Sequence, residues 1–389
     1  MNQTHTRAWL EINLDTLAVN TRKLRQSLNQ GVQIMAVIKA DAYGQGASII
    51  AKTLDEAGVD AFGLATLDEA LEVRKACQTK PILLLGYLHP DEMDEALHNN
   101  ITLTLYSTAQ ARAISQAAER LGKAVDVHIK IDTGMMRLGF LPGEEHQALQ
   151  AAKLPGINPV GIFSHFAEAN SHDTSFSQEQ NMRFEAFISI LEQNGLHIPI
   201  KHIANSPGVM HGGFEKNLVR VAVLLFGVSS FPGETMDKHG YPITLSLKTR
   251  VSMIKTIPKG TPVGYGRNYY TKEETRVATI SIGYADGYMR GNSNNGIVLI
   301  RGERARIIGN ICMDQSMVDV THIPDVNEND EVVIFGIQGS QEITLPELAR
   351  LQGTIVHEVI SNIGMRVPRI YFKEGECIGS VNMVRRQYL

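Results

Sequence analysis

The sequence is poor in cysteine, nearly balanced in charge and free of long hydrophobic runs, and each of these features excludes a class of protein. Its 389 residues include three cysteines, Cys77, Cys312 and Cys377, without a CxxC pair. An odd, scattered set argues against a disulfide framework and against a zinc site. The formal net charge of -4 offers no field for nucleic acid or an anionic membrane. Apolar runs such as residues 221–228 are too short to span a bilayer.

The N-terminus, MNQTHTRAWLEINL, has no basic region followed by an apolar core, so no secretory signal is expected. Together with the few cysteines, this predicts a cytoplasmic protein that binds neither nucleic acid nor membrane. Apolar residues make up 43% of the chain and charged residues 20%, as in ordinary globular proteins, and the length suits two domains.

Over the first two-thirds of the chain, short apolar runs rich in β-branched residues alternate with amphipathic, helix-like stretches. Buried parallel strands have such continuous apolar runs, with helical crossovers between them. Eight runs predict a (β/α)8 barrel over residues 12–238. A doubly wound open sheet has the same alternation of apolar runs and helix-like stretches and stays an alternative. The runs cover residues 34–38, 61–65, 81–85, 101–105, 125–131, 160–163, 198–203 and 218–226.

Near Gly240 the pattern changes to alternating strands separated by glycine, proline and asparagine. This predicts a second, mostly β domain over residues 239–389, with one short helix around residues 345–351. The opening segment AWLEINL also alternates and suits either domain, and we assign residues 1–11 to the β domain.

A barrel carries its active site at the C-terminal ends of its strands, so the residues that follow each run are informative. The first run is followed by Lys39, in AVIKADAYGQG. A lysine at a buried strand end must be paired, neutralised or extended to solvent. Two interpretations remain open: a lysine whose ammonium group reaches the surface, or a Schiff-base lysine kept partly neutral by burial.

Later runs also contain or precede polar residues. Lys130 lies near the end of the fifth run, Arg137 follows that run, and His165 follows the sixth. Ser206 opens the helix after the seventh, where it is either a phosphate ligand or an ordinary helix cap. Arg220 lies inside the eighth, apolar run, so it must be paired or must bind something. Together these side chains are expected on one face of one barrel.

The β domain adds further polar clusters. VGYGRNYY holds Tyr265 between glycines, where a packing role and an acid/base role are both open, and ICMDQSMVD holds Met313 and Asp314. The loop GYADGYMR holds Tyr284, and its simplest interpretation is a hairpin connection. The sequence has no metal-ligand spacing, no Walker loop and no G-x-S-x-G elbow.

Taken in order, seven motifs resemble those of the alanine racemases: AVIKADAYGQG, KIDTGMMRLGF, HIANS, VGYGRNYY, IGYADGY, CMDQSMVDV and RVPRIY. The resemblance covers essentially the whole chain. It implies a barrel that carries pyridoxal 5'-phosphate, a C-terminal β domain, and interconversion of L- and D-alanine that supplies D-alanine for peptidoglycan synthesis. It also implies a head-to-tail homodimer in which each β domain completes its partner's site.

The resemblance implies two acid/bases on opposite faces of the substrate. One is Lys39, which also holds the cofactor as a covalent aldimine, and the other is Tyr265 from the other subunit. Arg220 would face the pyridine nitrogen, and His165 would link it to the tyrosine. Two acid/bases suit racemisation, because a proton leaves one face of a planar intermediate and another returns to the opposite face, with the cofactor as electron sink.

The remaining positions of the resemblance bind phosphate or substrate. For the phosphate they are Tyr43, Ser206, His357 and the backbone of Ala222 and Val223. For the substrate they are Arg137, Met313, Asp314 and Tyr284. Lys130 matches a lysine that is often carbamylated in the family, which would present a carboxylate to Arg137.

The sequence departs from the family at a few positions. Ala222 and Val223 replace a glycine and a large aliphatic residue beside the phosphate, and Gln45 replaces a histidine. His357, in TIVHEV, stands where a tyrosine usually touches the phosphate and narrows the substrate entry. We therefore expect a roomier pocket, and racemisation of serine or other small amino acids stays an alternative to strict alanine specificity.

Two other functions share parts of this architecture. A basic-amino-acid decarboxylase of the same fold type has an HxGSG phosphate loop, which this sequence lacks. A non-catalytic pyridoxal-phosphate carrier resembles the barrel alone, whereas this sequence continues into the β domain that contains Tyr265 and Met313. Both features favour racemisation.

Overall fold

The computed structural model describes residues 7–386, which form two compact units. The first unit consists of Ala18–Tyr43 and Ala47–Leu225. The second consists of the chain up to Leu17, the segment Gly44–Gly46 and the chain from Phe226 onward. This division rests on packing, and the domain boundaries at residues 12 and 238 stay a prediction. Within residues 7–386 no helix is long and apolar enough to cross a membrane.

The described chain begins with strand β1 (Ala8–Asn13), which runs directly into helix α1 (Leu14–Ser27). Eight strands follow, alternating with helices. The strands are β2 (Gln33–Val37), β3 (Ala61–Leu64), β4 (Ile82–Leu84), β5 (Leu103–Leu105), β6 (Val125–Lys130), β7 (Ile157–Phe163), β8 (Ile200–His202) and β9 (Leu218–Val221). The helices are α2 (Lys39–Gly44), α3 (Ala47–Glu56), α4 (Leu67–Ala76), α5 (Met93–His98), α6 (Thr108–Leu121), α7 (Glu145–Ala152), α8 (Ser175–Gln193) and α9 (Ser206–His211).

The eight strands close into a barrel. Two sets of four parallel strands pair in the orders β4-β3-β2-β9 and β5-β6-β7-β8. At one seam Leu83 and Thr102 form a parallel bridge, and at the other the N–H of Arg220 donates to the carbonyl of Ala204 over 3.0 Å. The barrel predicted from the apolar runs is confirmed, and the open sheet is excluded.

The barrel interior explains why the strands are apolar along their whole length. Side chains from five strands form one buried cluster, which consists of Met35, Ala61, Leu83, Phe163 and Leu218. Helices cover the outer face of each strand, and the inner faces pack together inside the barrel. Neither face meets solvent, so the strands do not alternate between apolar and polar residues.

The second unit is mostly β, as predicted. Besides β1 it contains β10 (Leu245–Ile257), β11 (Thr275–Ile280), β12 (Ile297–Ile300), β13 (Glu303–Ile307), β14 (Ser316–Asp319), β15 (Glu331–Gln338), β16 (Gln341–Ile343), β17 (Arg369–Lys373) and β18 (Glu376–Val381). Its helices are α10 (Leu345–Gln352), α11 (Val356–Ser361) and α12 (Met383–Arg386). The strand order is β16-β15-β12-β13-β14-β11-β10-β1-β17-β18, and a further pairing of β10 with β15 closes six of these strands into a ring.

Strand β1 settles the open assignment of AWLEINL. It pairs antiparallel with β10 and parallel with β17, so it belongs to the sheet of the second unit. Its Trp9 side chain is fully buried, with the Arg250 guanidinium 5.0 Å from the ring centre.

Two residues of β17 explain why Gly44–Gly46 packs with the second unit. Arg369 Nε donates to the Gly44 carbonyl over 2.7 Å, and the Tyr371 hydroxyl donates to the Gln45 carbonyl over 2.8 Å. At Gly46, where φ is +96°, a Cβ atom would lie 2.1 Å from the Tyr371 hydroxyl, so only glycine fits.

The glycine of β7 gives a test of barrel packing. A methyl group on Gly161 would lie 2.4 Å from His128 Nδ1, inside the wholly buried barrel core. Overpacking a buried site costs typically about 1–3 kcal/mol, so we expect Gly161→Ala to lower the free energy of unfolding by that amount in urea titrations. The matched control is Gly86→Ala, since an added methyl group there meets open space. Equal stabilities of the two variants would contradict the packing described here.

Candidate active site

Four charged or titratable residues predicted from the sequence lie at the same end of the barrel. Lys130 is the last residue of β6, and Arg220 is the third residue of the short strand β9. Lys39 follows β2 by two residues, and His165 follows β7 by two residues. Since all eight strands are parallel, these positions are the C-terminal ends where barrels carry their sites.

Helix α2, which begins at Lys39, is a left-handed turn. Ala40, Asp41, Ala42 and Tyr43 have φ between 53° and 55° and ψ between 43° and 49°. Left-handed helical geometry costs about 1–2 kcal/mol per non-glycine residue, and alanine and tyrosine rarely adopt it. Strained backbone of this kind concentrates where function fixes a side chain. The turn is closed by a hydrogen bond from the Ala42 N–H to the Ile38 carbonyl, 2.9 Å long.

Lys39 itself is half-buried. Burial lowers the pKa of its amine, and the positive charge of Arg137 lowers this pKa further, whereas the carboxylate of Glu69 raises it. A neutral amine is the form that attacks carbonyl groups and accepts protons. At the end of the turn Tyr43 is buried, and burial together with Glu69 raises the pKa of its phenol to about 12, so the hydroxyl keeps its proton.

Arg220 is buried and has no carboxylate within ion-pair distance in residues 7–386. Its Nη2 donates to the carbonyls of Ser164 and Ile203 over 2.7 and 3.1 Å, and to His165 Nδ1 over 3.1 Å. Burial, followed by the charge of Arg137, lowers the pKa of the guanidinium to about 9. A buried charge held only by neutral acceptors keeps its positive field available to a ligand.

The second terminal nitrogen of Arg220, Nη1, is hydrogen-bonded to the first of two imidazoles that are bonded to each other. Arg220 Nη1 lies 2.7 Å from His202 Nδ1, and His202 Nε2 lies 2.7 Å from His128 Nδ1. Because a guanidinium can only donate, His202 Nδ1 accepts, and its Nε2 proton then points to His128. Burial lowers the pKa of His202 well below its usual range and that of His128 to about 3, so both rings are neutral at pH 7.

Lys130 is a second buried cation beside Arg220. Its Nζ donates to the Ile131 carbonyl over 2.7 Å and lies 5.3 Å from the centre of the Phe163 ring, which is also 5.2 Å from the Arg220 guanidinium carbon. Burial, followed by repulsion from Arg220, lowers the pKa of the amine to about 7. A large fraction of Lys130 is therefore neutral near pH 7.

Asp132 shapes the loop that carries Arg137. Its Oδ1 accepts the N–H groups of Gly134, Met135 and Met136 at 2.9–3.0 Å, and its Oδ2 accepts the N–H of Arg137 at 2.7 Å. Burial raises the pKa of this carboxyl, but the backbone hydrogen bonds outweigh burial and hold it below its ordinary value. The ionised side chain thus fixes the backbone from which the exposed Arg137 projects.

The start of α9 brings two predicted phosphate ligands together. Asn205, not Ser206, is the helix cap, since its side chain accepts the Gly208 N–H over 3.0 Å. The interpretation of Ser206 as an ordinary cap is therefore wrong. The Ser206 hydroxyl instead accepts the backbone N–H of Ala222 over 3.1 Å, with Val223 next in the chain. A hydroxyl and the backbone after β9 are thereby joined at the same barrel end.

In the second unit, the predicted residues Tyr284, Met313 and Asp314 lie in two loops bonded to each other. The Tyr284 N–H donates to the Cys312 carbonyl, and the Ala285 N–H donates to the Met313 carbonyl, each over 3.1 Å. The hairpin interpretation of GYADGYMR is wrong, because the loop contains two 3-10 turns, Tyr284–Asp286 and Arg290–Asn292, between strands that are not paired.

Arg366 fastens these two loops. It donates to the fully buried Asp286 over 2.7 Å and forms an ion pair of 2.5 Å with Asp314. A carboxylate buried without water is tolerated only when it is paired, so Asp286 and Arg366 form a structural centre under the Met313 loop.

Tyr265 lies in a separate turn of the second unit, Tyr265–Arg267, and its carbonyl accepts from Asn310 Nδ2 over 2.7 Å. The side chain is 72% exposed, and those of Met313 and Tyr284 are 52% and 39% exposed. His357 is the second residue of α11 and is half-buried. Its predicted contact with phosphate stays a prediction.

The sequence analysis assigned no role to His128, His202, Asp132 or Asp286, all of which hold parts of the site. A signal was present for the two histidines, because each interrupts an apolar strand, in VDVHIK and in IKH. No sequence pattern distinguishes the two aspartates from ordinary loop residues.

Comparison with known proteins places this geometry in one family. Residues 12–230 match the family description "Alanine racemase, N-terminal domain", and residues 244–371 match "Alanine racemase, C-terminal domain". The chain is 40% identical over 382 residues to an alanine racemase of Clostridium perfringens, covering 97% of this chain and 98% of that protein.

Solved structures agree. The structure is similar to that of an alanine racemase of Clostridium difficile 630, with a TM-score of 0.93 and 35% identity over 98% of this chain and 100% of that chain. It is also similar to alanine racemase from Bartonella henselae with covalently bound pyridoxal phosphate, with a TM-score of 0.85 and 29% identity over 94% of this chain and 100% of that chain.

Proposed function

The chain belongs to the alanine racemase family and interconverts L- and D-alanine, and we propose that it does so with pyridoxal phosphate at the barrel end, using Lys39 and Tyr265 as the two acid/bases. The observation that carries this assignment is a half-buried lysine whose amine pKa is lowered by burial, at the same barrel end as a buried arginine that has no carboxylate within ion-pair distance among residues 7–386.

The side chains of the barrel end fit this cofactor. Lys39 offers a primary amine whose pKa is lowered by burial, as an amine that binds an aldehyde needs. Arg220 offers a fixed positive charge to an unprotonated pyridine nitrogen, and the Ser206 hydroxyl, which accepts the Ala222 N–H, can donate its own proton to a phosphate. When bound, the cofactor supplies the electron sink that makes the α-proton of an amino acid removable.

In this proposal each acid/base holds a proton at one atom. Lys39 Nζ exchanges its proton with one face of the substrate, and burial lowers the pKa of this amine, which favours release of the proton. The Tyr265 phenol oxygen serves the opposite face. Arg220 keeps its charge and its fixed position through five neutral acceptors, which disfavours protonation of a pyridine nitrogen placed against it.

We also propose that Lys130 is carbamylated. Its pKa of about 7 leaves a neutral amine that can add carbon dioxide, with release of one proton. The product is a carboxylate, which replaces a repelled cation beside Arg220 with a favourable partner for the Arg137 guanidinium.

A homodimer with shared sites is part of the proposal. In the second unit Tyr265, Met313 and Tyr284 expose large apolar or aromatic surfaces, and the exposed fraction of Tyr265 is 72%. Large side chains left exposed by their own unit can be covered by a second copy of the chain, which would bring the Tyr265 phenol to the partner's barrel.

The lysine assignment is tested with Lys39→Ala. We expect loss of the bound cofactor's absorbance and of racemisation, because no other amine occupies the end of β2. Racemisation is measured by the decay of the circular dichroism of L-alanine. Borohydride reduction of the unsubstituted protein should trap the cofactor on the peptide that contains Lys39, and Lys52→Ala serves as the control. A label on Lys52 or Lys130 would refute the assignment.

Tyr265→Ala tests the second acid/base. We expect cofactor binding to persist and racemisation to fail, while Lys39 still exchanges the α-proton of one enantiomer with D2O. Proton exchange is followed by mass spectrometry for each enantiomer, with Tyr270→Ala, another exposed tyrosine, as the control. Mixing Lys39→Ala and Tyr265→Ala proteins should restore one intact site per heterodimer. Equal residual exchange of D- and L-alanine would contradict two acid/bases on opposite faces.

His357→Tyr tests substrate specificity. An imidazole is shorter than a phenol, so we expect L-serine to be racemised beside alanine, and the tyrosine variant to prefer alanine more strongly. A methylene or hydroxyl in a pocket is worth about 1–3 kcal/mol, which is roughly a tenfold to hundredfold change in the ratio of kcat/KM for alanine over serine. His322→Tyr, at an exposed position of the same unit, is the control. An unchanged ratio would show that other residues set the pocket.

A further inference from the structure

A carboxylate outside the predicted site is bonded to the backbone of the cofactor lysine's turn. Glu69 lies in the first turn of α4 and has a half-buried side chain. Its Oε1 accepts the N–H of Ala40, the residue after Lys39, over 2.7 Å. Its Oε2 accepts the N–H groups of Ala65 and Thr66 over 2.9 and 3.4 Å. One side chain therefore joins the end of β2 to the connection between β3 and α4.

This arrangement exceeds what a helix cap requires. A capping box uses the third helical residue to accept the N–H of the cap, here Thr66, and nothing more. The other oxygen of Glu69 accepts a hydrogen bond from outside this cap, from the N–H of Ala40, which is the first residue of the left-handed turn Ala40–Tyr43 after β2. In a left-handed turn the first N–H groups have no partner within the turn, so an external acceptor is needed there.

We propose that Glu69 is a positioning residue for Lys39: by accepting the Ala40 N–H, its carboxylate holds the strained turn that directs the lysine toward the cofactor. This inference rests on the proposed role of Lys39. The carboxylate also places a negative charge near the lysine amine, opposite in effect to Arg137, the other charged group that acts strongly on it.

The test separates the hydrogen bond from the charge. Glu69→Gln keeps an amide oxygen that can accept from Ala40, whereas Glu69→Ala removes both the acceptor and the charge. The controls are Glu72→Gln and Glu72→Ala, one helical turn later, where Glu72 Oε1 accepts from the Ser48 hydroxyl over 2.6 Å. Thermal unfolding of the four proteins shows whether each is folded before any comparison is made.

The first measurement is the affinity of each apoprotein for pyridoxal phosphate, from absorbance titrations. Because a hydrogen bond to a charged group contributes more than one between neutral groups, we expect Glu69→Ala to bind pyridoxal phosphate about tenfold more weakly than the unsubstituted protein. Glu69→Gln keeps one of the two acceptor oxygens, so its affinity should lie between those of Glu69→Ala and the unsubstituted protein, and both Glu72 variants should bind within about threefold of the unsubstituted protein. For racemisation we expect Glu69→Ala to lower kcat while KM for alanine changes little, because the substrate's own contacts are intact.

The second measurement needs no cofactor. Reductive methylation of the apoprotein with formaldehyde and cyanoborohydride, followed peptide by peptide, gives the pH at which the Lys39 amine becomes reactive. Loss of the Glu69 charge should move this pH downward in both Glu69 variants and in neither Glu72 variant.

Two results would overturn the inference. One is a Glu69→Ala protein with unchanged cofactor affinity and an unchanged methylation profile; the other is a Glu72→Ala protein as impaired in affinity as Glu69→Ala, because loss of any carboxylate on α4 would then suffice. Neither result touches the proposed function, which is tested separately by borohydride trapping on Lys39 and by proton exchange in Tyr265→Ala.

Discussion

The buried positive charge of Arg220 is the constraint on which the barrel end depends. Its guanidinium has carbonyl and imidazole acceptors, and in the described part of the chain no carboxylate lies within ion-pair distance of it, so its donors are satisfied by neutral groups. Burial, and after it the same charge, lowers the pKa of Lys130 to about 7 and lowers the pKa values of His165 and His202 well below the usual range. The result is a permanently charged guanidinium held by neutral carbonyl and imidazole groups, which suits a ligand that brings its own negative charge and a ring nitrogen.

The barrel and the positions of its charged residues could be predicted because both leave local signals. Strands buried on both sides require continuous apolar runs, and a charged residue such as Arg220 or Lys39 stands out against such a run. The predicted residues of the barrel do lie at one end of it, since parallel strands force their C-terminal ends together. Their grouping follows from topology and needs no knowledge of side-chain contacts.

The conformation that holds these residues could not be predicted, because it depends on distant partners. Nothing in KADAYG favours four left-handed residues, since alanine and tyrosine have no intrinsic preference for positive φ. Bonds to other elements supply the stabilisation: Glu69 of α4 accepts the Ala40 N–H, and Asp41 of the turn accepts the Ala47 N–H of α3, each over 2.7 Å. Likewise, the neutral form of His202 depends on burial and on Arg220, which lies eighteen residues away.

The two acid/bases of the proposed mechanism differ in how they are held. Lys39 is fixed by its strained turn and by a half-buried position within the barrel unit. The Tyr265 carbonyl accepts a hydrogen bond from Asn310, but the Tyr265 side chain is largely exposed within its own unit. A phenol surrounded by water has no fixed direction and no low-dielectric surroundings, so it cannot serve one face of a substrate selectively. In the proposed dimer the partner's barrel supplies both, and the second proton transfer therefore depends on assembly while the first does not.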